Sequence, residues 1–319
     1  MRTRKEADCT RQPDKIPTTI MQIFHIDQFV LPLPAEHRFP MEKYAMLRHA
    51  VAAFAGELLC VPDAAHADEL VLAHDPDYIT QVFSGELPAA AQREIGFPWS
   101  PGLVERSRRS VGATIAACRS ALWSGCGVNL AGGTHHAAYA RGSGFCVFND
   151  IVTAVRVMQR EGRIRRALVV DLDVHQGNGT AALCEGDASI YTFSMHGAGN
   201  FPFRKHPGDW DIEFPDGTGD EPYLAALASA LPALFTRARP DLLVYLAGAD
   251  PLASDRLGKL NLSQAGLAAR DAMVLDACDA QGMPVALCMG GGYAQPISDT
   301  VAVQTETVRE TVRRYAGAR

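Results

Sequence analysis

Between residues 167 and 179 an apolar run gives way, within two residues, to Asp171-Leu172-Asp173-Val174-His175-Gln176-Gly177-Asn178-Gly179. The run reads as a buried strand. Alternate residues of an extended chain share a face, so Asp171, Asp173 and His175 point the same way. Two carboxylates and an imidazole make a poor core and a good half-site for a divalent metal. Asp250, which ends another apolar run, can complete a set of three with Asp173 and His175. Catalytic zinc keeps three protein ligands and one position open to water and substrate. With two of the ligands anionic, the bound ion acidifies its water less than a three-histidine site would, so a separate base is needed. His135 and His136 are placed to supply it, because a neutral imidazole near pH 7 suits proton abstraction. A lone His-His pair more often decorates a surface loop, and only the neighbouring metal site favours the catalytic reading. Tyr293 follows three glycines, which let backbone approach a ligand, and its phenol could donate to an oxyanion. By itself it reads equally as a tyrosine at a tight turn. Phe145 and Phe201 lie in glycine-containing loops and could wall an apolar channel or simply pack.

Something must bring these distant residues together. Residues 22–26 read as a first strand, 41–59 as a helix and 70–73 as a short strand. Asp75 caps a helix with Pro76 at its first position, where a missing N–H costs nothing. Residues 88–101 read as irregular, 103–123 as a long helix, and 127–130 as a strand leading to His135 and His136. A helix follows Asn149-Asp150 as far as about Glu161, and after the metal strand comes another at 189–194. Residues 197–219 read as a Gly/Pro-rich loop. Two helices, 222–231 and 233–238, are expected on either side of Pro232, which should start the second. Strand 242–246 ends at Ala247-Gly248-Ala249-Asp250. Ser263 caps a helix to Gln281 that Gly282 stops. Strand 285–289 leads to Gly290-Gly291-Gly292-Tyr293, and a last helix covers about 299–313.

Strands alternating with helices predict a three-layer α/β/α domain with a mainly parallel sheet covered on both faces. Open parallel sheets bind ligands outside the carboxyl ends of their strands. Four such ends carry His135/His136, Asp171/Asp173/His175, Asp250 and Tyr293. Convergence at that rim is what the metal reading requires.

Bulk properties exclude several classes. The chain has 319 residues, 47% of them hydrophobic, and a net charge of −6, enough to bury a large core. Without a long basic block a nucleic-acid surface is not expected, and no apolar run approaches the roughly 18 residues that span a bilayer. Eight cysteines show no CxxC or zinc-finger spacing, and several sit in apolar runs, which predicts reduced thiols in a cytoplasmic protein. Residues 1–20 mix both charges without a signal-peptide core. They are expected to be a disordered extension before a single domain over 21–319.

The motifs Gly132-Gly133-Thr134-His135-His136-Ala137, Gly144-Phe145-Cys146-Val147-Phe148-Asn149-Asp150, 171–179, Ala247-Gly248-Ala249-Asp250 and Gly290-Gly291-Gly292-Tyr293 together resemble the histone deacetylase superfamily. The resemblance spans about residues 22–315. Gln176-Gly177-Asn178 and Asp255-Arg256-Leu257-Gly258-Lys259-Leu260 are similar to the class IV branch. It implies an arginase/deacetylase-type fold of about eight strands and zinc on Asp173, His175 and Asp250, with iron(II) as an alternative. It implies a His135/His136 dyad with His136 as base, Tyr293 as oxyanion donor, and Asp171 supporting the dyad. A structural potassium ion would engage Asp171, Asp173, His175 and Ser194. Phe145, Phe201, Gly144 and Gly291 would form the substrate tunnel.

The implied reaction is hydrolysis of acetyl- or longer acyl-lysine in a protein or peptide. Small acylated amines such as acetylpolyamines are an alternative substrate, and a non-catalytic acyl-lysine binder an alternative function. A dinuclear manganese ureohydrolase on the same fold would need more bridging carboxylates, and only Asp171 and Asp255 are spare. No direct nucleic-acid or membrane partner is implied, and the oligomeric state is left open. Asn178 stands where class I and II enzymes usually carry aspartate. A neutral amide stabilises an imidazolium less than a carboxylate does, so His136 should be less basic here.

Overall fold

The computed structural model describes residues 20–34 and 36–317. The expected N-terminal extension lies outside the described residues except for Ile20. The chain runs β1 (Gln22–Phe24), α1 (Glu42–Ala55), β2 (Leu59–Cys60), α2 (Ala67–Leu70), α3 (Pro76–Ser84), α4 (Ala89–Ile95), α5 (Pro101–Ser124) and β3 (Cys126–Asn129). It continues α6 (Asp150–Arg160), β4 (Ala167–Asp171), α7 (Asn178–Cys184), β5 (Ile190–Gly197), β6 (Trp210–Phe214), α8 (Asp220–Ala238), β7 (Leu242–Leu246), α9 (Gln264–Gln281), β8 (Val285–Cys288) and α10 (Ile297–Tyr315).

The strands form one sheet in the order β2-β1-β3-β8-β7-β4-β5-β6, and each of the seven neighbouring pairs is parallel. The residue alternation of the strands builds the layers. Leu168 and Val170 of β4, with Leu243 and Tyr245 of β7, face a core shared with α1, α8, α9 and α10. Ala167 and Val169, with Leu242, Val244 and Leu246, face a second core shared with α3, α5 and α6. Strands buried on both faces need apolar residues at nearly every position, as β7 has throughout and β4 has up to Asp171.

Caps read from sequence fix the helix ends. The Asp75 carboxylate accepts from the backbone N–H of Asp77 at 2.8 Å and of Tyr78 at 3.1 Å. The Ser263 hydroxyl accepts from Gly266 N–H at 2.9 Å. Asn149, not expected as a cap, also starts α6 by accepting from Val152 N–H at 2.9 Å.

Five expectations are corrected. Residues 70–73 are the helical end of α2 and its following turns, because His66 and Glu69 form a reciprocal cap that starts a helix just upstream, and such a cap satisfies two orphan N–H groups. The expected irregular segment 88–101 contains α4, whose Ala-Ala-Ala-Gln-Arg-Glu run favours helix. The loop 197–219 contains β6, an edge strand pairing with β5. Its Trp-Asp-Ile-Glu-Phe alternation is hidden among flanking glycines and prolines. Finally, α8 is one helix that passes through Pro232. Its face of Tyr223, Leu227, Leu231 and Leu234 is buried on both sides of that residue, and packing outweighs the lost backbone hydrogen bond. The segment 41–59 likewise splits, its end forming β2.

Candidate metal and acyl-transfer site

β3, β8, β7 and β4 are adjacent in the sheet, so the residues beyond their carboxyl ends meet. The alternation of β4 persists past its last paired residue. Leu172 and Val174 enter the core, whereas Asp171, Asp173 and His175 face the rim. Asp173, His175 and Asp250 are buried, and one ligand atom from each lies within 4.8 Å of the others. His175 Nδ1 is 3.0 Å from Asp173 Oδ1 and 3.1 Å from Asp250 Oδ2. Backbone groups orient both carboxylates: Gly291 N–H donates to Asp173 Oδ2 at 2.8 Å and Val174 N–H to Asp250 Oδ1 at 2.9 Å. Gly291 fits because nothing larger would. A Cβ there would overlap Asp250 Oδ2 and stand 2.9 Å from Asp173 Oδ2.

The charges of this trio favour a cation. Burial opposes a charge on His175, yet hydrogen bonds to Asp173 and Asp250 raise it to about 10. Burial, together with the charge on Asp173, raises Asp250 to about 7. Burial also works against ionisation of Asp173, but His135 and His175 hold it below the usual carboxylate range. Two buried acids thus share one imidazole proton. A divalent ion would replace that proton, neutralise both acids and use the Nδ1 lone pair, so O, N and O donors fit a catalytic metal site with one face open. This trio is the cluster of that kind among the described residues.

The two histidines are held differently. His135 Nδ1–H donates to Asp171 Oδ2 at 2.7 Å. Burial opposes its protonation, but Asp171 and Asp173 raise it to about 9. His136 Nδ1–H donates to the amide oxygen of Asn178 at 2.8 Å, leaving Nε2 as an acceptor. Burial, and then the neighbouring His135 and His175, push its basicity well below the ordinary 6.5. The rings lie 4.2 Å apart, centroid to centroid, and His136 is 6.0 Å from His175. Tyr293 is 8% exposed. Burial and the charge on Asp250 raise its phenol well above 10, so it keeps its proton and can donate it in a hydrogen bond.

An outer pocket lined by Gly144, Phe145, Phe201 and Phe203 opens onto His136, His175 and Tyr293. Phe201 packs edge-on against His136 at 4.9 Å. Gly144 has φ 53° and lies so near that a Cβ would stand 2.7 Å from His136 Cδ2. Phe145, also left-handed at φ 67°, joins the rings of Phe97 at 5.2 Å and Phe39 at 5.3 Å. Behind the trio a cavity of about 80 Å³ continues inward past Gly291 and Tyr293 to Lys43 and Arg106. Ser194 pairs in register with Asp171 and bonds His196 Nδ1 at 2.9 Å, away from the open face.

Other residues brace the site. Asp150 accepts from the N–H groups of Gly133 at 3.0 Å and Thr134 at 2.7 Å, fixing the loop that presents the histidines. Asp255 accepts from Tyr293 N–H at 2.6 Å and from Leu257 and Gly258 N–H at 2.8 Å each. Asp255 is therefore committed to loop backbone and Asp171 to His135, and neither is free to bridge a second metal. Phe39, Phe97 and Lys43 come from segments whose sequence gives no sign of the site.

Comparison with known proteins adds the lineage. Residues 37–308 match the Histone deacetylase domain family. An uncharacterized protein of Picosynechococcus is 46% identical, covering 88% of this chain and 94% of its own. Histone deacetylase 2 of Arabidopsis thaliana is 30% identical, covering 75% of this chain, and this chain spans 64% of its length. A crystal structure described as an HDAC homolog complexed with SAHA superimposes with a TM-score of 0.80 at 23% identity, over 92% of this chain and 84% of the other. A second, the HDAC homolog from Aquifex aeolicus, has a TM-score of 0.79 over the same shares at 23% identity.

Proposed function

Since this chain belongs to the histone deacetylase family and is a hydrolase acting on linear amides, we propose that it is a class IV-like deacylase removing acetyl or longer acyl groups from lysine side chains. The observation that carries this reading is the pairing of two imidazoles with opposite proton preferences, and a protonated phenol, around the buried Asp173–His175–Asp250 trio. Family members are metal-dependent. We propose zinc here, with iron(II) as the alternative, and a potassium ion near Asp171, Asp173, His175 and Ser194. The metal, when bound, would polarise the amide carbonyl and acidify a water.

The chain's own residues would do the rest. The aromatic walls of the outer pocket exclude water and hold the lysine alkyl chain. His136 Nε2 faces the site without a proton and takes one from the attacking water. The Tyr293 hydroxyl donates to the carbonyl oxygen as negative charge develops there. His135, kept protonated by Asp171, favours that charge and supplies a proton toward the leaving amine. Class IV character is supported by Asn178 on His136 and by Asp255-Arg256-Leu257-Gly258, whose carboxylate anchors the Tyr293 loop.

The mouth of the pocket carries Glu36 and Glu94 against His37, Arg38 and Lys259. Mixed charge suits a peptide better than a polycationic small amine. We also propose a cytoplasmic location, which the free, buried thiols of Cys118, Cys126, Cys146, Cys184, Cys278 and Cys288 support. Fluorescence of a tagged chain in cells checks that location. A panel of acetyl- and longer acyl-lysine peptides and acetylpolyamines, assayed with and without chelator, tests the activity. The reading requires chelator-sensitive hydrolysis of the lysine peptides. Hydrolysis of polyamines alone moves the substrate to small amines, and binding without turnover makes the protein an acyl-lysine binder.

A further inference from the structure

Lys43 is the second residue of α1, 249 positions from the loop it touches, and its side chain is only 2% exposed. Among the described residues no carboxylate pairs with it. Burying an ammonium without a counter-ion is costly, and an apolar residue of the same length would fill the space more cheaply. What the ammonium does meet is the oxyanion loop. It donates to the Gly292 carbonyl at 3.2 Å. It also stands 5.2 Å from the ring centroid of Tyr293, 5.3 Å from Tyr44 and 5.8 Å from Phe39, within the range of cation–π attraction.

The peptide on the amino side of Tyr293 has one carbonyl and one N–H, and both are held. Lys43 takes Gly292 O, and Asp255 takes Tyr293 N–H at 2.6 Å. On the far side Arg256 reaches Tyr293 O at 3.3 Å. The phenol is therefore aimed by a lysine above its ring and by clamps on its backbone. Phe39 and Phe145 close the ring's other neighbours at 6.3 and 6.2 Å. An oxyanion donor works only if it already points where the charge will appear, and the three glycines before Tyr293 offer no rigidity of their own.

We propose that Lys43 is a positioning residue for Tyr293: its ammonium, bound to Gly292 O and seated over the phenol ring, holds the hydroxyl aimed at the reacting carbonyl. This rests on the deacylase reading in which Tyr293 is the oxyanion donor.

The test is a double-mutant cycle of Lys43→Met and Tyr293→Phe in the metal-loaded full chain on an acyl-lysine peptide. Melting temperature and metal content are measured alongside, and Lys43→Arg tests rescue. Lys43→Met should lower kcat about 10- to 100-fold, part of the roughly 10²–10³ expected when an oxyanion donor is lost. KM should change less than about 2-fold, Lys43→Arg should recover most of the rate, and Lys43→Met should add nothing once Tyr293 is Phe. A readout free of activity runs in parallel: in protein labelled at the tyrosine ring carbon bearing oxygen, the NMR line that vanishes in Tyr293→Phe should shift or broaden in Lys43→Met and return in Lys43→Arg. If Lys43→Met does not fold, Lys43→Gln, which keeps a donor but no charge, replaces it with the same expectations. Losses that multiply in the cycle, or an unmoved Tyr293 line, overturn the role of Lys43. Full turnover in Tyr293→Phe is a different failure: it removes the oxyanion-donor reading itself, and with it any catalytic consequence of Lys43.

Discussion

Replacing Asn178 with aspartate changes one atom type and adds one charge beside His136. Asn178 opens α7, where a helix N-terminus tolerates a carboxylate, so the fold should accept Asn178→Asp. The amide oxygen is 2.8 Å from His136 Nδ1, which puts the new charge about 4 Å from the centre of an imidazolium. At an effective dielectric near 20, that attraction is about 4 kcal/mol, or about 3 pH units at about 1.4 kcal/mol per unit. Asn178 is only half-buried, and solvent screening reduces the shift to about 1–2 units. The sign follows from the role. As the proposed base, His136 must be unprotonated to accept a proton, so the acidic limb of kcat/KM should report its titration. Aspartate favours the imidazolium and moves that limb to higher pH. Within the wild-type site His135 shows the same effect: its aspartate partner overcomes burial and raises it to about 9, while His136, bonded to an amide, stays well below 6.5. The assay is kcat/KM from pH 5 to 9.5 with metal in excess. An acidic limb that stays put, or moves down, refutes the assignment of His136 as base.

Further outcomes follow from the same geometry. Tyr293→Phe should lose about 10²–10³ in kcat while metal analysis shows the ion retained. Asp171→Asn should move the alkaline limb of the pH–rate profile to lower pH than in wild type, because the Asp171 charge raises His135 and without it His135 gives up its proton earlier. Gly291→Ala, whose Cβ would overlap Asp250 Oδ2, should weaken metal binding at least about 10-fold, on the scale of changes to groups that orient ligands, read by competition with a chromogenic chelator. His74 donates through Nδ1 to Ala138 O and accepts Asn149 N–H through Nε2. Burial lowers its folded-state value from 6.5 to about 4, so its contribution is full above about pH 6.5 and is lost as pH falls toward 4. The ceiling is about 3 kcal/mol. Urea unfolding at pH 7.5 and pH 5 should show a smaller pH dependence in His74→Gln than in wild type.

What could be read from the amino-acid string was governed by how local each signal is. The capped helices after Asp75 and Ser263 and the apolar strands 167–170 and 242–246 were legible because caps and apolar runs are properties of neighbours in sequence. The clustering of Asp173, His175 and Asp250 was legible because the first two share a strand face and Asp250 ends another strand. The path through Pro232, the edge strand Trp210–Phe214 and the short helix α4 were not. In the first two, burial against the sheet decides the conformation, and in α4 a favourable Ala-rich run was masked by prolines on both sides. Lys43 was invisible for a different reason: its function is to hold another loop, and nothing in a lysine near a helix start announces a partner far along the chain; Asp150 stood in the motif ending at Asn149-Asp150, with no hint that it would hold the histidine loop. Asp255 stood out through the class IV resemblance of its segment and as a spare carboxylate, with no hint that it would hold the Tyr293 backbone.

The central claim is that four adjacent strand ends build one metal site with Tyr293 and the paired histidines around it. Anomalous diffraction at the zinc absorption edge, from crystals of the full chain grown with zinc, tests it directly. The account predicts one peak per chain, in bonding reach of Asp173, His175 Nδ1 and Asp250, with the Tyr293 hydroxyl facing it. Two peaks bridged by further carboxylates, or a peak elsewhere with these three residues left unbound, would contradict it.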